Sequence, residues 1–209
     1  MKKSTTSDTP NNASSLRCVS TDLGLLDNHA EQVAPLLLGC ELVRTFDDGR
    51  TVRVKIVETE AYHQNDAASH SYRGRTPRTE VMFGASGYAY VYFTYGMYYC
   101  FNIVTGVEGE GSAVLVRAVE PLDGAGILEE NRAGKHGVDL TNGPAKLCQA
   151  LAVDKSLLSH NLRKSPLQLY IRSPLPASDI VATTRIGISR DVDRLWRFYI
   201  RDNPYVSKP

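Results

Sequence analysis

Glu58, Glu60 and Arg117 are the residues whose types and surroundings are best suited to chemistry. In a strand over 51–62 the even positions Val52, Val54, Ile56, Glu58, Glu60 and Tyr62 share one face, so an apolar face runs directly into two carboxylates and a phenol. A carboxylate carried onto the core side is costly unless it is paired or has a task. Its partial desolvation raises its pKa toward the range of a general base. The alternative is that the strand has left the core by residue 58, leaving both glutamates solvated. Arg117 ends the apolar run Ala113-Val114-Leu115-Val116 and needs a carboxylate or phosphate partner, with Glu120 the nearest candidate in sequence.

A second feature is aromatic. Six of the 11 tyrosines fall within residues 88–99. On a strand Tyr88, Tyr90 and Tyr92 share a phenolic face and Ala89, Val91 and Phe93 an apolar one. Gly96 breaks the run, which places Tyr95 and Met97 at a hairpin tip. Large apolar groups at an exposed tip are unfavourable unless a partner receives them, and a DNA duplex wedged open by inserted side chains is one such partner. A half-buried sheet of tyrosines, with no ligand, is the ordinary alternative.

The elements that must position these groups read as a mixed α/β (α+β) fold. Strands are expected over 41–46 and 51–62, joined by the hairpin signal Asp47-Asp48-Gly49-Arg50, then over 88–94, 98–104 and 113–119, with further strands between 167 and 201. A short helix is expected over 27–39, stopped by Gly39 and interrupted by Pro35, and a second from Asn142-Gly143-Pro144 to about Val153. Together they imply a single domain over 16–209, built on a curved, largely antiparallel sheet with a protruding β-hairpin. Residues 1–15, polar and rich in Ser, Thr and Asn, are expected to be disordered.

Bulk composition excludes several classes. The 24 basic and 23 acidic residues nearly cancel, so any nucleic-acid binding rests on local patches such as 72–78 and 185–201. The four cysteines form no C-x-x-C pair and no histidine stands at ligand spacing, so neither a disulfide framework nor a metal site is expected. No apolar run approaches a membrane span, and the N-terminus has no signal-peptide core. A cytoplasmic or nuclear protein is expected.

Several motifs in one order resemble the alkyladenine (3-methyladenine) DNA glycosylases of the monofunctional, non-helix-hairpin-helix type. They are Val57-Glu58-Thr59-Glu60-Ala61-Tyr62, Arg75-Thr76-Pro77-Arg78, Tyr90-Val91-Tyr92, Tyr95-Gly96-Met97-Tyr98 with Asn102, Leu115-Val116-Arg117-Ala118-Val119-Glu120-Pro121, and Gly143-Pro144-Ala145-Lys146-Leu147-Cys148. The resemblance implies flipping of damaged purines (3-methyladenine, with hypoxanthine and ethenoadenine as further candidates) from duplex DNA and hydrolysis of the N-glycosidic bond, leaving an abasic site. It implies Glu60 as the base that activates water, with Arg117 positioning that water. Tyr62 would stack on one side of the base, and His70 and Tyr92 on the other. Asn102 and Leu115 would line the pocket floor. Tyr95 would fill the gap in the duplex beside Met97, with Thr76, Arg78 and Lys146 on phosphates. His63 competes with His70 for the histidine position. No cofactor is implied, a monomer is expected, and the absence of a recognisable lysine nucleophile argues against strand cleavage. Two other readings are a non-catalytic lesion-binding protein with the same aromatic pocket, and an unrelated sugar hydrolase, for which Glu58 and Glu60 on one strand are a poor pair.

Overall fold

The structure is a computed structural model that describes residues 20–94 and 96–208. The tail over 1–15 and Tyr95 lie outside the described residues. Eight strands form one sheet: β1 (Glu41–Thr45), β2 (Thr51–His63), β3 (Ala89–Thr94), β4 (Tyr98–Val104), β5 (Ser112–Asp123), β6 (Leu167–Tyr170), β7 (Ile180–Thr183) and β8 (Arg197–Ile200). The main path runs β3-β4-β5-β2-β1-β6, and every pairing between these strands is antiparallel. Local signals account for the hairpins. Arg50 N–H donates to the Asp48 carboxylate in the β1–β2 turn, and Gly96 takes φ +66° in the β3–β4 turn, a conformation that excludes most side chains.

The long strand β2 organises the rest. One of its edges takes β5, and the other takes β1 over 51–55 and then β8 over 58–60. With neighbours on both edges and cover on both faces, Ile56 to Ala61 are all buried. Helix α1 (Ala30–Leu36) lies against one face, where Val33, Ala34, Val52, Val54, Ile56 and Ala61 join the main core. Helix α3 (Pro144–Ala150) adds Leu147 and, just past its end, Leu151 to the same core.

The helices differ in extent from the sequence expectation. Residues 24–27 form a 3₁₀ turn, so α1 starts only at Ala30, and Pro35 sits in its last turn, where the lost N–H bond and the kink fall at the end of the helix rather than in its middle. Proline opens α3, as expected, but the chain turns away at Leu151, and Ala152 adopts φ +47°. An unforeseen short helix, α2 (Ala125–Asn131), follows β5.

The face assignment of β2 needs the larger correction. Ile56 pairs with Val119 and Glu58 with Ala118, so Val57 is an extra residue, a β-bulge that reverses the alternation beyond it. Past the bulge the odd residues face the core: the Thr59 hydroxyl donates to Ala34 O of α1, and Ala61 packs into the cluster of Val52, Val54 and Ile56. Glu58, Glu60 and Tyr62 therefore point to the opposite side. The apolar face does not run into the carboxylates, and neither glutamate is solvated, since both are 0% exposed.

Candidate active site

The bulge delivers its carboxylates to a wall that is already charged. Across the ladder Thr59 pairs with Val116, so Arg117 is in turn passed over on β5 and its side chain meets both glutamates. Its Nε donates to Glu58 Oε1 at 3.1 Å, and Nη1 lies 3.3 Å from Glu60 Oε1. Burial opposes the Arg117 charge, but Glu60 and Glu58 outweigh it and hold the guanidinium above its ordinary range. Glu120, its neighbour in sequence, pairs with Lys55 instead.

The two glutamates differ in what surrounds them. Glu58 accepts from Arg117, from Arg197 Nε at 2.7 Å, and from the backbone N–H and hydroxyl of Ser207 at 2.7 and 2.9 Å. Glu60 accepts from the Tyr62 hydroxyl at 2.8 Å on Oε2, and from Ile186 N–H at 2.8 Å on Oε1, where Arg117 also approaches. Tyr62, Ile186 and Arg117, its three partners, line a cavity of about 380 Å³. That is within the ~300–1,000 Å³ of ordinary small-ligand pockets.

Aromatic residues form much of the cavity. Tyr90 and Tyr92, on the phenolic face of β3, line it together with His70, Met82 and Cys100. The His70 ring meets Tyr92 edge-on, with centroids 4.6 Å apart. Tyr62 lies against the Arg185 guanidinium, 4.7 Å from its ring centroid, and Arg185 is fixed by a buried pair with Asp66 and a 2.8 Å bond to Ala61 O. Burial, followed by the nearby Glu60 charge, pushes the Tyr62 hydroxyl well up, so it stays a proton donor to Glu60. Burial also raises the Tyr92 phenol.

His70 is held as a neutral ring. Burial, reinforced by the Arg78 charge, lowers its pKa from 6.5 to about 4. Arg78 Nη2 lies 3.3 Å from Nε2, so Nε2 accepts, and the ring proton sits on Nδ1, 2.9 Å from the Tyr90 hydroxyl. The turn over 70–73 is placed by Gly111: its carbonyl accepts the Ser71 hydroxyl, and a Cβ there would sit 2.6 Å from Ser71 Cβ and from the Phe83 ring.

The cavity lining thus brings together Arg117, Tyr62, His70, Tyr92, Asn102 and Leu115, the last two paired across β4 and β5, and Glu60 lies directly behind Tyr62 and Arg117. His63 is elsewhere, at the end of β2 against His29. Arg78 belongs to the cavity rim, with its guanidinium 5.4 Å from the Tyr92 centroid. Thr76 bonds within its own turn to Thr79, and Lys146 pairs with Asp139 and Asn142. Met97 stands 67% exposed at the hairpin tip, with Phe93 and Tyr98 also exposed. Sequence reasoning missed Tyr90, although it shares the face of Tyr92. It also missed the wall from Ile186 to Ile188, for which the sequence carries no local signal.

The family model described as methylpurine-DNA glycosylase (MPG) matches residues 24–204. The chain belongs to that family. A protein of Carboxydothermus hydrogenoformans is 55% identical over 178 residues, covering 84% of this chain and 92% of its own. Relatives from Methanoculleus marisnigri and Clostridium botulinum are each 47% identical, over 181 and 192 residues, with 84% and 86% of this chain and 92% and 94% of theirs covered. All three bear the name "Putative 3-methyladenine DNA glycosylase". The family match spans both the β2–β5 wall and the segment 186–188 that closes the glycosylase cavity.

Proposed function

We propose that this protein is a monofunctional DNA glycosylase that binds a damaged purine, flipped from duplex DNA, in the aromatic cavity and hydrolyses its N-glycosidic bond. The observation that carries the reading is the hydrogen bonding of Glu60. A carboxylate has about four acceptor positions; the Ile186 amide takes one on Oε1, where the Arg117 charge also lies at 3.3 Å, and the Tyr62 hydroxyl takes one on Oε2, which leaves a lone pair of Oε2 for a water molecule. That oxygen can take the water's proton as the water attacks the sugar carbon, and its charge stabilises the oxocarbenium character that develops as the base leaves. Arg117, 3.3 Å from Oε1, fixes the carboxylate and offsets its charge.

The same geometry favours cationic lesions. An alkylated purine such as 3-methyladenine already carries the positive charge that makes it a good leaving group, and a neutral His70 does not repel it. With a pKa of about 4, His70 is also not a general acid at neutral pH, so neutral lesions such as hypoxanthine would leave more slowly. Asn102 and Leu115 at the floor would select among purine edges. Glu58 does not serve as a second catalytic acid, because Arg117, Arg197 and Ser207 occupy it. Among the described residues no lysine lines the cavity, which favours hydrolysis without strand cleavage. Acting as a monomer where duplex DNA is held, the enzyme would leave an abasic site.

The test is single-turnover excision from end-labelled duplexes carrying 3-methyladenine, ethenoadenine or hypoxanthine, with abasic sites revealed by alkali. Glu60→Gln should bind the lesion duplex as the parent does and lose excision by at least ~10²-fold. Excision at the parent rate would refute the role of Glu60. Binding by the parent without excision would indicate a lesion-binding protein.

A further inference from the structure

Away from the cavity, three side-chain atoms that are buried and lack hydrogen-bond partners converge. They are His29 Nδ1, His63 Nε2 and Glu110 Oε2, and the ligand atoms of these residues lie within 4.8 Å of one another. His29 immediately precedes α1, His63 ends β2, and Glu110 lies in the turn between β4 and β5. Buried polar atoms are ordinarily paired, so three orphans at one point require an explanation. A protonated His29 facing Glu110 would account for two of them but not for His63 Nε2.

We propose that His29, His63 and Glu110 form a binding site for a divalent transition-metal cation of the zinc type. Two imidazoles and one carboxylate are a donor set that suits zinc and its neighbours rather than magnesium or calcium. His29 Nδ1 and Glu110 Oε2 are 3.4 Å apart, close to the ligand spacing on a tetrahedral ion with ~2.0–2.1 Å bonds. His63 is 8% exposed and supplies the buried ligand, whereas the side chains of His29 and Glu110 are partly exposed and leave a solvent path for entry and for a fourth, water ligand. His63 Nδ1 now accepts Asn65 N–H at 3.2 Å, which leaves the proton of the neutral ring on Nε2. Cation uptake therefore shifts that proton to Nδ1, and the long Asn65 contact gives way.

The cation would join three segments beside the active site. Gly111, next to Glu110, holds Gln64 through its amide and Ser71 through its carbonyl, and these residues flank the loop that brings His70 to the cavity. Binding here is thus expected to stiffen the base of that loop. This role is independent of the reading of Glu60.

The test uses the full chain, stripped with EDTA and dialysed, then titrated with Zn²⁺ by calorimetry and followed in thermal melts. One equivalent should bind and raise Tm, and Mg²⁺ should do neither. In His63→Ala, His29→Gln and Glu110→Gln, Zn²⁺ affinity should fall by at least about tenfold and the Tm shift should vanish. Melts in EDTA verify that each variant is folded, and the two substitutions at partly exposed positions keep the test valid if His63→Ala is not. Absence of saturable Zn²⁺ binding to the parent, or binding by the folded variants equal to the parent's, would overturn the proposal.

Discussion

The wall that holds Glu60 and the tip of the β3–β4 hairpin are opposite solutions to placing unfavourable groups. On the wall, two carboxylates are fully buried, and Arg117, Arg197, Tyr62, Ser207 and the Ile186 amide compensate for their lost hydration. At the tip, Phe93, Met97 and Tyr98 turn large apolar surfaces to solvent, with Met97 the most exposed of them. In the proposed reaction Glu60 presents one lone pair to a water and has to be immobile, and buried charge-assisted bonds provide that immobility. In the proposed complex the tip inserts into a base stack, for which its side chains must be free of their own protein until the duplex arrives.

The largest difference between the two regions should be in stability. Arg117→Ala removes the cation shared by Glu58 and Glu60 and should lower unfolding free energy by ~3–5 kcal/mol, read from urea denaturation. Met97→Ala should change it by no more than ~0.5 kcal/mol. Equal losses at the two sites would erase the distinction. A smaller contrast should appear in DNA binding. Tyr92→Ala should cost ~1–3 kcal/mol of affinity for a lesion in either single-stranded or duplex DNA, because stacking in the cavity is lost in both. Met97→Ala should weaken duplex binding only. If single-stranded binding falls equally, the tip is not a duplex wedge.

The smallest expected effect concerns pH. The pKa of His70 is about 4 in the folded protein against an ordinary 6.5. Between those values the unfolded chain binds more protons, so stability rises with pH and is progressively lost as pH falls from 6.5 toward 4. His70→Gln should reduce that loss, measured as the difference in urea midpoint between pH 7 and pH 4.5. An unchanged difference would show that other groups dominate acid sensitivity.

Much of the sheet was legible. Alternation and turn residues located β1 to β5 closely, because a strand's period and a hairpin's glycine are local properties. The division of residues 88–93 into a phenolic and an apolar face also held: Tyr90 and Tyr92 line the cavity, while Ala89 and Val91 enter the core. The side of β2 that carries Glu58 and Glu60 was misread. A one-residue bulge at Val57 reverses the alternation and has no compositional mark, since valine suits a regular strand equally well. Arg117 was rightly read as needing an anion, but its partners came from β2 rather than from its own strand.

The sequence by itself determined the strands, the hairpins, the aromatic face and the carboxylate and guanidinium residue types of the site, because these depend on neighbours a few positions apart. Only the tertiary structure decided which groups hold Glu60. Ile186 N–H reaches it from 126 residues away, and Arg185, which lies against Tyr62, is fixed by Asp66 across a separation of 119. His29, His63 and Glu110 converge in the same way, from a helix start, a strand end and a turn. Such meetings are set by how the sheet bends and which loops cross its face. Those depend on the packing of the whole core, so no spacing along the chain records them.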